Sequence, residues 1–500
     1  MKLVFLNFCV VHVKTSFDGK PLQTGVSVEQ QLGQKLLEER LITAKQLTEA
    51  LERQKIKGGR LGDNIIDLGF MSAELLNSFF HKEPEALKTI EDTGLDASFL
   101  VDLVMKHILF MGEFRLADLS ERIKLPVWIV DPLIENLQRE KFVEVKGASE
   151  YARFTYKFAI TGIGQKRAAD LLEICRYVGP APVPLDLYIK MVTAQTIKNI
   201  SILPETITKA FSHLVINDKI LKNLGPAMTS GRAMFMYGPP GNGKTSIAET
   251  IGKALPQTVY IPYTIYVGGE IISLFDPVNH IPANPTSVET ENGDDGQDKR
   301  WLLIKRPVIM AGGELTLKTL DLEFNPISKF YIAPLQMKAN NGLFIIDDFG
   351  RQQIEPKKLL NRWIVPLERR IDFMTLHTGM KFEVPFDQLV VFCTNLAPKD
   401  LVDEAFLRRI RYKINIDHPS EREFEAIFKR VCKANGIEFD SNVFDYLMDN
   451  FYKKLDIKPS ACQPRDIVDQ IIDNARYYRR PPKLTNEGIA DAWENYFVEL

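Results

Sequence analysis

The most constraining feature of the chain is one turn. The apolar run Ala233-Met234-Phe235-Met236-Tyr237, of strand length, passes at once into Gly238-Pro239-Pro240-Gly241-Asn242-Gly243-Lys244-Thr245, and the helical stretch Ser246-Ile247-Ala248-Glu249-Thr250-Ile251 follows. Gly-x-x-x-x-Gly-Lys-Thr between a strand and a helix is the pattern of a phosphate-cradling loop. Its glycines let the backbone curl so that successive N–H groups and the helix N-terminus face phosphate oxygens. In that arrangement residues from Gly238 through Ser246 form the cradle, Lys244 reaches the β- and γ-phosphates, and the Thr245 hydroxyl completes a Mg²⁺ shell.

A loop of this kind needs a second strand ending in an acid, and Leu343-Phe344-Ile345-Ile346-Asp347-Asp348 supplies it. In a doubly wound sheet ligands gather at the carboxyl ends of the strands, which sets Asp347 beside Thr245 as a Mg²⁺ partner and leaves Asp348 to orient the attacking water. A third buried run, Gln388-Leu389-Val390-Val391-Phe392-Cys393-Thr394, ends in Asn395. Further on stand Asp403-Glu404-Ala405-Phe406-Leu407-Arg408-Arg409-Ile410 and Cys462-Gln463-Pro464-Arg465-Asp466.

The order of these pieces resembles that of AAA+ ATPases, over about residues 195 to 500. The resemblance implies an α/β P-loop NTPase core, a parallel sheet with helices on both faces, over 195–415, and a helical lid over 416–500. It makes Asn395 a sensor-1 residue, Arg408 or Arg409 an arginine finger offered to a neighbouring subunit, and Arg465 a sensor-2 residue at the γ-phosphate. ATP and Mg²⁺ are the implied ligands and a homo-hexamer the implied assembly. One departure stands out: most AAA+ proteins have Glu where this chain has Asp348. The shorter side chain draws the carboxylate back by about 1.5 Å, one carbon–carbon bond, and a 1 Å misplacement costs on the order of a hundredfold in rate.

Within the same region Tyr266-Val267-Gly268 matches the aromatic-apolar-Gly pore loop of AAA+ unfoldases. Gly268-Gly269 also reads as a two-residue hairpin turn between Tyr263–Val267 and Glu270–Phe275, and that reading is favoured. Thr286 to Asp298 reads as a polar, acidic surface insert, and Gly312-Gly313-Glu314-Leu315 with Phe324-Asn325-Pro326 as a further insertion, as in the MoxR-like branch.

Upstream, the sequence repeats itself. Gln31-Leu32-Gly33 opens a stretch with Leu36, Leu37, Leu41-Ile42, Leu47, Leu51 and Gln54, and Arg60-Leu61-Gly62 opens a second with Ile65, Ile66, Phe70-Met71, Leu75 and Phe79. Apolar residues three and four apart predict two helical hairpins. The stretch, 28–82, resembles the small N-terminal domain of type II secretion and type IV pilus assembly ATPases. Some members of that family bind cyclic di-GMP through an Arg-Leu-Gly motif, which only Arg60-Leu61-Gly62 preserves; a docking domain with structural Leu-Gly turns is the favoured alternative.

Residues 95–175 read as three helices and two strands in the order of a winged helix, with Pro126 at the first position of the third helix. From Pro126 to Gln138 there is no Arg or Lys, which favours protein contact over DNA. Arg153, Lys157, Lys166 and Arg167 are the cations available for a basic wing. Tyr177 to Pro184 reads as a stiff linker, within a boundary segment 176–194, and residues 1–27 as an N-terminal extension.

Composition limits the rest. Five hundred residues fit about three folded units at ~150 each, and 63 Lys+Arg against 65 Asp+Glu leave a net charge of -2, so polyanion binding must be local. The five cysteines are widely spaced with no Cys-x-x-Cys pair, which suggests a reducing cytoplasm. The apolar residues Leu3 to Val13 are interrupted by Asn7 and His12 and lack a small-residue cleavage pattern, so no signal peptide is expected. The client of such a machine is not legible from these residues.

Overall fold

Four short apolar runs and one alternating edge strand build the central sheet, whose faces are both covered. In the computed structural model the described residues run from 33 to 497, apart from 35, 73, 74, 77–82, 148–155, 201, 256, 257, 284–295, 402 and 403. The chain divides into two units, Met1–Phe79 and Phe80–Leu500. The N-terminal extension, Gln31-Leu32, Phe79, Arg153 and the insert from Thr286 to Asp295 lie outside the described residues.

In the larger unit the strands β1 (Met234–Tyr237), β2 (Val308–Ala311), β3 (Leu343–Ile346), β4 (Leu389–Thr394) and β5 (Tyr412–Asn415) form one sheet in the order β2-β3-β4-β1-β5. Every neighbouring pair is parallel. Met234, Met236, Leu343, Ile345, Leu389, Val391 and Cys393 face Ile247, Ala248 and Ile251 of the helix Lys244–Ala254. Phe235, Phe344, Ile346, Val390 and Phe392 pack on the opposite side with Trp363, which is fully buried. Successive residues therefore bury on opposite faces, which accounts for runs that are apolar throughout instead of alternating with polar residues. The α/β P-loop core expected from the sequence is the fold observed.

A second sheet lies in the same unit, in the order Glu323–Asn325, Phe330–Ile332, Glu270–Ser273, Thr264–Val267, Val183–Pro184. Thr264–Val267 and Glu270–Ser273 pair antiparallel, and Gly268 (φ 57°) and Gly269 (φ 87°) form the two-residue turn that requires positive φ at both positions. Tyr266 packs 4.5 Å from the Phe99 ring, at the margin of an apolar cluster, and the favoured hairpin is the structure observed. Phe324-Asn325 lies in a strand, Glu323–Asn325, that pairs antiparallel with Phe330–Ile332.

Three expectations need correction. The segment read as a linker is packed structure: Ala181 N–H donates to the Ile123 carbonyl, Val183–Pro184 pairs with Ile265–Tyr266, and Leu185–Ala194 is a helix that buries Tyr188 and Val192. A proline-rich string looks stiff and solvated in sequence, but prolines also suit a short strand at a sheet edge. Pro126 caps the helix Val127–Arg139 from just outside it. Asp298, assigned to the acidic insert, is buried and holds the fully buried Arg300, whose Nη2 lies 2.8 Å from Asp298 Oδ2.

Ahead of this core, helices Ala97–Met111, Leu116–Ile123 and Val127–Arg139 pack with strands Glu113–Phe114, Lys157–Ile160 and Val143–Gly147, which pair in that order. Beyond β5, the helices Glu421–Ala434, Ser441–Leu447, Gln463–Tyr477 and Asn486–Tyr496 share a core of Phe424, Phe428, Leu447, Ile467 and Trp493. Ser420 and Glu423 start the first of them with a reciprocal capping box.

In the smaller unit Thr43 and Gln46 form a capping box on Ala44–Lys57, and Leu61–Asp67 follows Arg60. A Cβ on Gly33 would stand 2.7 Å from Leu47, and one on Gly62 would stand 2.8 Å from Leu76, the leucine at the same spacing downstream. The two Leu-Gly turns therefore make equivalent close contacts, as an internal repeat requires. Among the described residues no helix is long and apolar enough to cross a membrane.

Candidate nucleotide site

Parallel strands put their carboxyl ends on one edge, so the loops after β1, β3 and β4 must meet there. β4 lies between β1 and β3, with Thr394 opposite Tyr237 and Phe392 opposite Ile346. This register sets Asn395 between the glycine loop and the two aspartates.

The loop after β1 takes a form that glycine alone permits. Gly238 has φ 141°, Gly241 φ 76° and Gly243 φ 80°. A Cβ on Gly238 would stand 2.1 Å from the Ile416 carbonyl oxygen, and one on Gly241 would stand 2.6 Å from Cys462 Sγ. Gly243 caps the helix Lys244–Ala254, whose first N–H groups open onto the loop. Lys244 Nζ donates to the carbonyls of Gly238 (2.9 Å) and Pro239 (2.8 Å), beneath a side chain that is otherwise buried. That burial lowers the Lys244 pKa, while Cys393, Asp347 and Asp348 pull it the other way. Pro240 and Ser246 are exposed.

Thr245 Oγ1 donates to Asp347 Oδ2 at 2.8 Å. Asp347 is fixed three times more: its N–H donates to the Ala311 carbonyl, Gln352 Nε2 donates to its carbonyl at 2.7 Å, and the Asp348 N–H donates to its Oδ1 at 3.0 Å. Asp348 has φ 47°, a left-handed conformation in which Asp and Asn are the best tolerated residues after glycine. Asn395 Nδ2 donates to Asp348 Oδ1 at 3.1 Å. The backbone conformation therefore suits Asp at this position. Cys393, fully buried, sits below Lys244, and burial raises its thiol pKa well above the ordinary range.

Of the arginines, Arg408 is largely exposed, 3.7 Å from Glu404, and Arg409 Nε donates to Glu368 at 2.5 Å. Arg465 lies in the first turn of Gln463–Tyr477, exposed, 3.7 Å from Asp466. The residues just ahead of it touch the glycine loop: Cys462 N–H donates to the Gly241 carbonyl (2.8 Å) and Ala461 N–H to Asn242 Oδ1 (3.0 Å). Sequence alone passed over Gln352 and this docking of residues 461 and 462; neither has a motif, since one is a lone amide and the other acts through its backbone.

A family model described as a domain of unknown function, DUF8689, matches residues 420–495, the helical stretch beyond β5. No curated protein matches the chain. Similar solved structures include the RuvB Holliday junction branch migration motor of Thermotoga maritima, at 13% identity and TM-score 0.31, covering 62% of this chain and 74% of that one. Domain III of the replication initiation protein DnaA from Thermotoga maritima is 12% identical at TM-score 0.33, with 60% and 100% covered. NtrX from Brucella abortus is 10% identical at TM-score 0.34, with 57% of each chain covered. At such scores these likenesses carry no argument about function, which rests on the residues described above.

Proposed function

We propose that the chain is an AAA+ ATPase whose core couples ATP binding and hydrolysis to the remodelling of a protein partner, with the N-terminal modules selecting that partner. The observation that carries this reading is the Thr245–Asp347 contact at 2.8 Å, beside Lys244 and the three left-handed or open glycines of the loop. A hydroxyl and a carboxylate meeting there fit the hard, oxygen-seeking Mg²⁺ ion, which supplies charge neutralisation on phosphate oxygens. Thr245 and Asp347 would hold it. Lys244 and the loop N–H groups hold the phosphates, and Asp348, oriented by Asn395, positions the attacking water.

Arg408 or Arg409 acting on a neighbour's nucleotide, with Arg465 on the γ-phosphate, makes a homo-hexamer the expected assembly. A cytoplasmic site of action goes with this reading. A nucleotide-gated switch with little turnover is a second reading, favoured by Asp348, and cyclic di-GMP at Arg60 a third ligand to assay. Hydrolysis by the purified protein beside Asp347→Asn tests the central claim: loss of Mg²⁺-dependent turnover supports it, and unchanged turnover contradicts it.

A further inference from the structure

The helix Gln463–Tyr477 begins against the glycine loop and ends, about 22 Å away at 1.5 Å per residue, in an unusual surface. Residues 476–483 read Arg-Tyr-Tyr-Arg-Arg-Pro-Pro-Lys, and all of them are exposed. Tyr477 is 78% and Tyr478 63% exposed, with ring centroids 4.9 Å apart and planes at 85°. Two phenol rings standing in water at right angles are costly as structure alone, since each leaves a large apolar face unburied.

Charge is concentrated in the same place. Four cations fall within these eight residues, and no Asp or Glu occurs from 474 to 486, in a chain whose net charge is only -2. Arg476 is partly neutralised by Asp473, at 3.4 Å. Arg480 donates to Asn474 Oδ1 at 2.9 Å and lies 5.3 Å from the Tyr478 ring centre, which fixes both side chains. Arg479 has φ 53°, turning the chain sharply before Pro481-Pro482. Arg476 and Tyr477 thus form the end of the helix, and Tyr478 to Lys483 the turn and extended stretch that follow it.

We propose that residues 476–483 bind single-stranded nucleic acid: Tyr477 and Tyr478 stack on bases while Arg479, Arg480 and Lys483 neutralise the backbone. Aromatic platforms within a basic strip are the chemistry that single strands require, and they need no base-specific contacts. Four cations with no carboxylate between residues 474 and 486 favour a polyanion over a protein surface of mixed charge. Because the helix bearing the patch docks on Gly241 and Asn242 through Cys462 and Ala461, affinity should differ between ATP-bound and nucleotide-free protein.

The test is fluorescence anisotropy of a labelled oligothymidylate with the full-length protein, across salt, with and without a slowly hydrolysed ATP analogue. Binding that weakens about tenfold or more in Tyr477→Ala/Tyr478→Ala, and whose logarithmic salt slope of about −2 shrinks in Arg479→Gln/Arg480→Gln, supports the proposal. The patch lies outside the nucleotide site, so both variants should keep parental ATP turnover and circular dichroism, which separates this test from that of the ATPase reading. No oligonucleotide binding, or binding that neither variant changes, overturns it. A change of oligomeric state in these variants, without oligonucleotide binding, also overturns it and assigns the patch to a subunit contact.

Discussion

Thr245, the second residue of the helix Lys244–Ala254, and Asp347, just after β3, are 102 residues apart in sequence, and the Thr245 hydroxyl donates to the Asp347 carboxylate at 2.8 Å. A parallel sheet with β1 and β3 flanking β4 brings those two positions to one edge. The pair therefore ties fold to chemistry. Replacing Asp347 with Asn keeps the shape of the side chain and removes its charge. Mg²⁺-dependent nucleotide affinity should fall about tenfold or more, as expected when a charge-assisted contact of about 1.5–3 kcal/mol is lost. Titration of a fluorescent ATP analogue with and without Mg²⁺ measures this.

Asp348 is the residue expected to separate binding from turnover. Asp348→Asn should bind ATP with near-parental affinity while hydrolysis falls by about a hundredfold or more, because a positioned base is removed and the cradle is untouched. Asp348→Glu places the usual residue in a left-handed backbone that Asp tolerates better. It should therefore lower the melting temperature even if turnover rises. Equal loss of binding and turnover in Asp348→Asn would show that Asp348 serves the cradle instead.

Gly238 is where the loop leaves the least room. A Cβ there stands 2.1 Å from a backbone oxygen, Ile416 O, which no rotamer change relieves. Gly238→Ala should lose about 1–3 kcal/mol of stability and weaken nucleotide binding together, read as a lower urea midpoint and a higher Kd. Gly243→Ala meets no atom within 4 Å and carries only the strain of φ 80°, so its steric cost should be smaller.

Two buried histidines give the fold an acid limit. His107, held to the Gly179 carbonyl at 2.8 Å, and His280, held to the Lys338 carbonyl at 2.9 Å, both have pKa values lowered, chiefly by burial. Above the ordinary histidine value of about 6.5 neither state takes up a proton and stability is intact. As pH falls below that value the unfolded chain binds protons that the folded chain resists, so stability declines. Melting temperatures from pH 7.5 to 5 should fall, and His107→Gln with His280→Gln should flatten the slope.

Much of this candidate site is legible in the sequence. The glycine loop, the acids after β3 and the Asn after β4 stand out because a tight strand-to-helix turn and the ends of buried strands permit few residues at each position. The hairpin at Gly268-Gly269 was legible for the same reason, since two consecutive residues at positive φ exclude most side chains. Tertiary context decided the rest. Val183–Pro184 is a strand because Thr264–Val267 offers it an edge, and Asp298 is buried because Arg300 is beneath it, bonded also to the Thr93 and Pro182 carbonyls. Thr93 and Pro182 are far from Arg300 in sequence, as Thr264–Val267 is from Val183–Pro184, and such partners leave no local period. Gln352 supports Asp347 through a single amide, a contact that only the folded loop creates.

The claim that a neighbouring subunit completes each site is tested most directly by steady-state ATP hydrolysis across a protein concentration series, beside Lys244→Ala and Arg408→Ala. Arg408 is exposed, with Glu404 at 3.7 Å as its ion-pair partner among the described residues, whereas Arg409 is engaged by Glu368, so Arg408 is the better placed to reach outward. The account predicts specific activity that rises with concentration, collapses in Lys244→Ala, and is restored in part when the two inactive variants are mixed. Turnover per chain that is independent of concentration and unchanged by Arg408→Ala would contradict it.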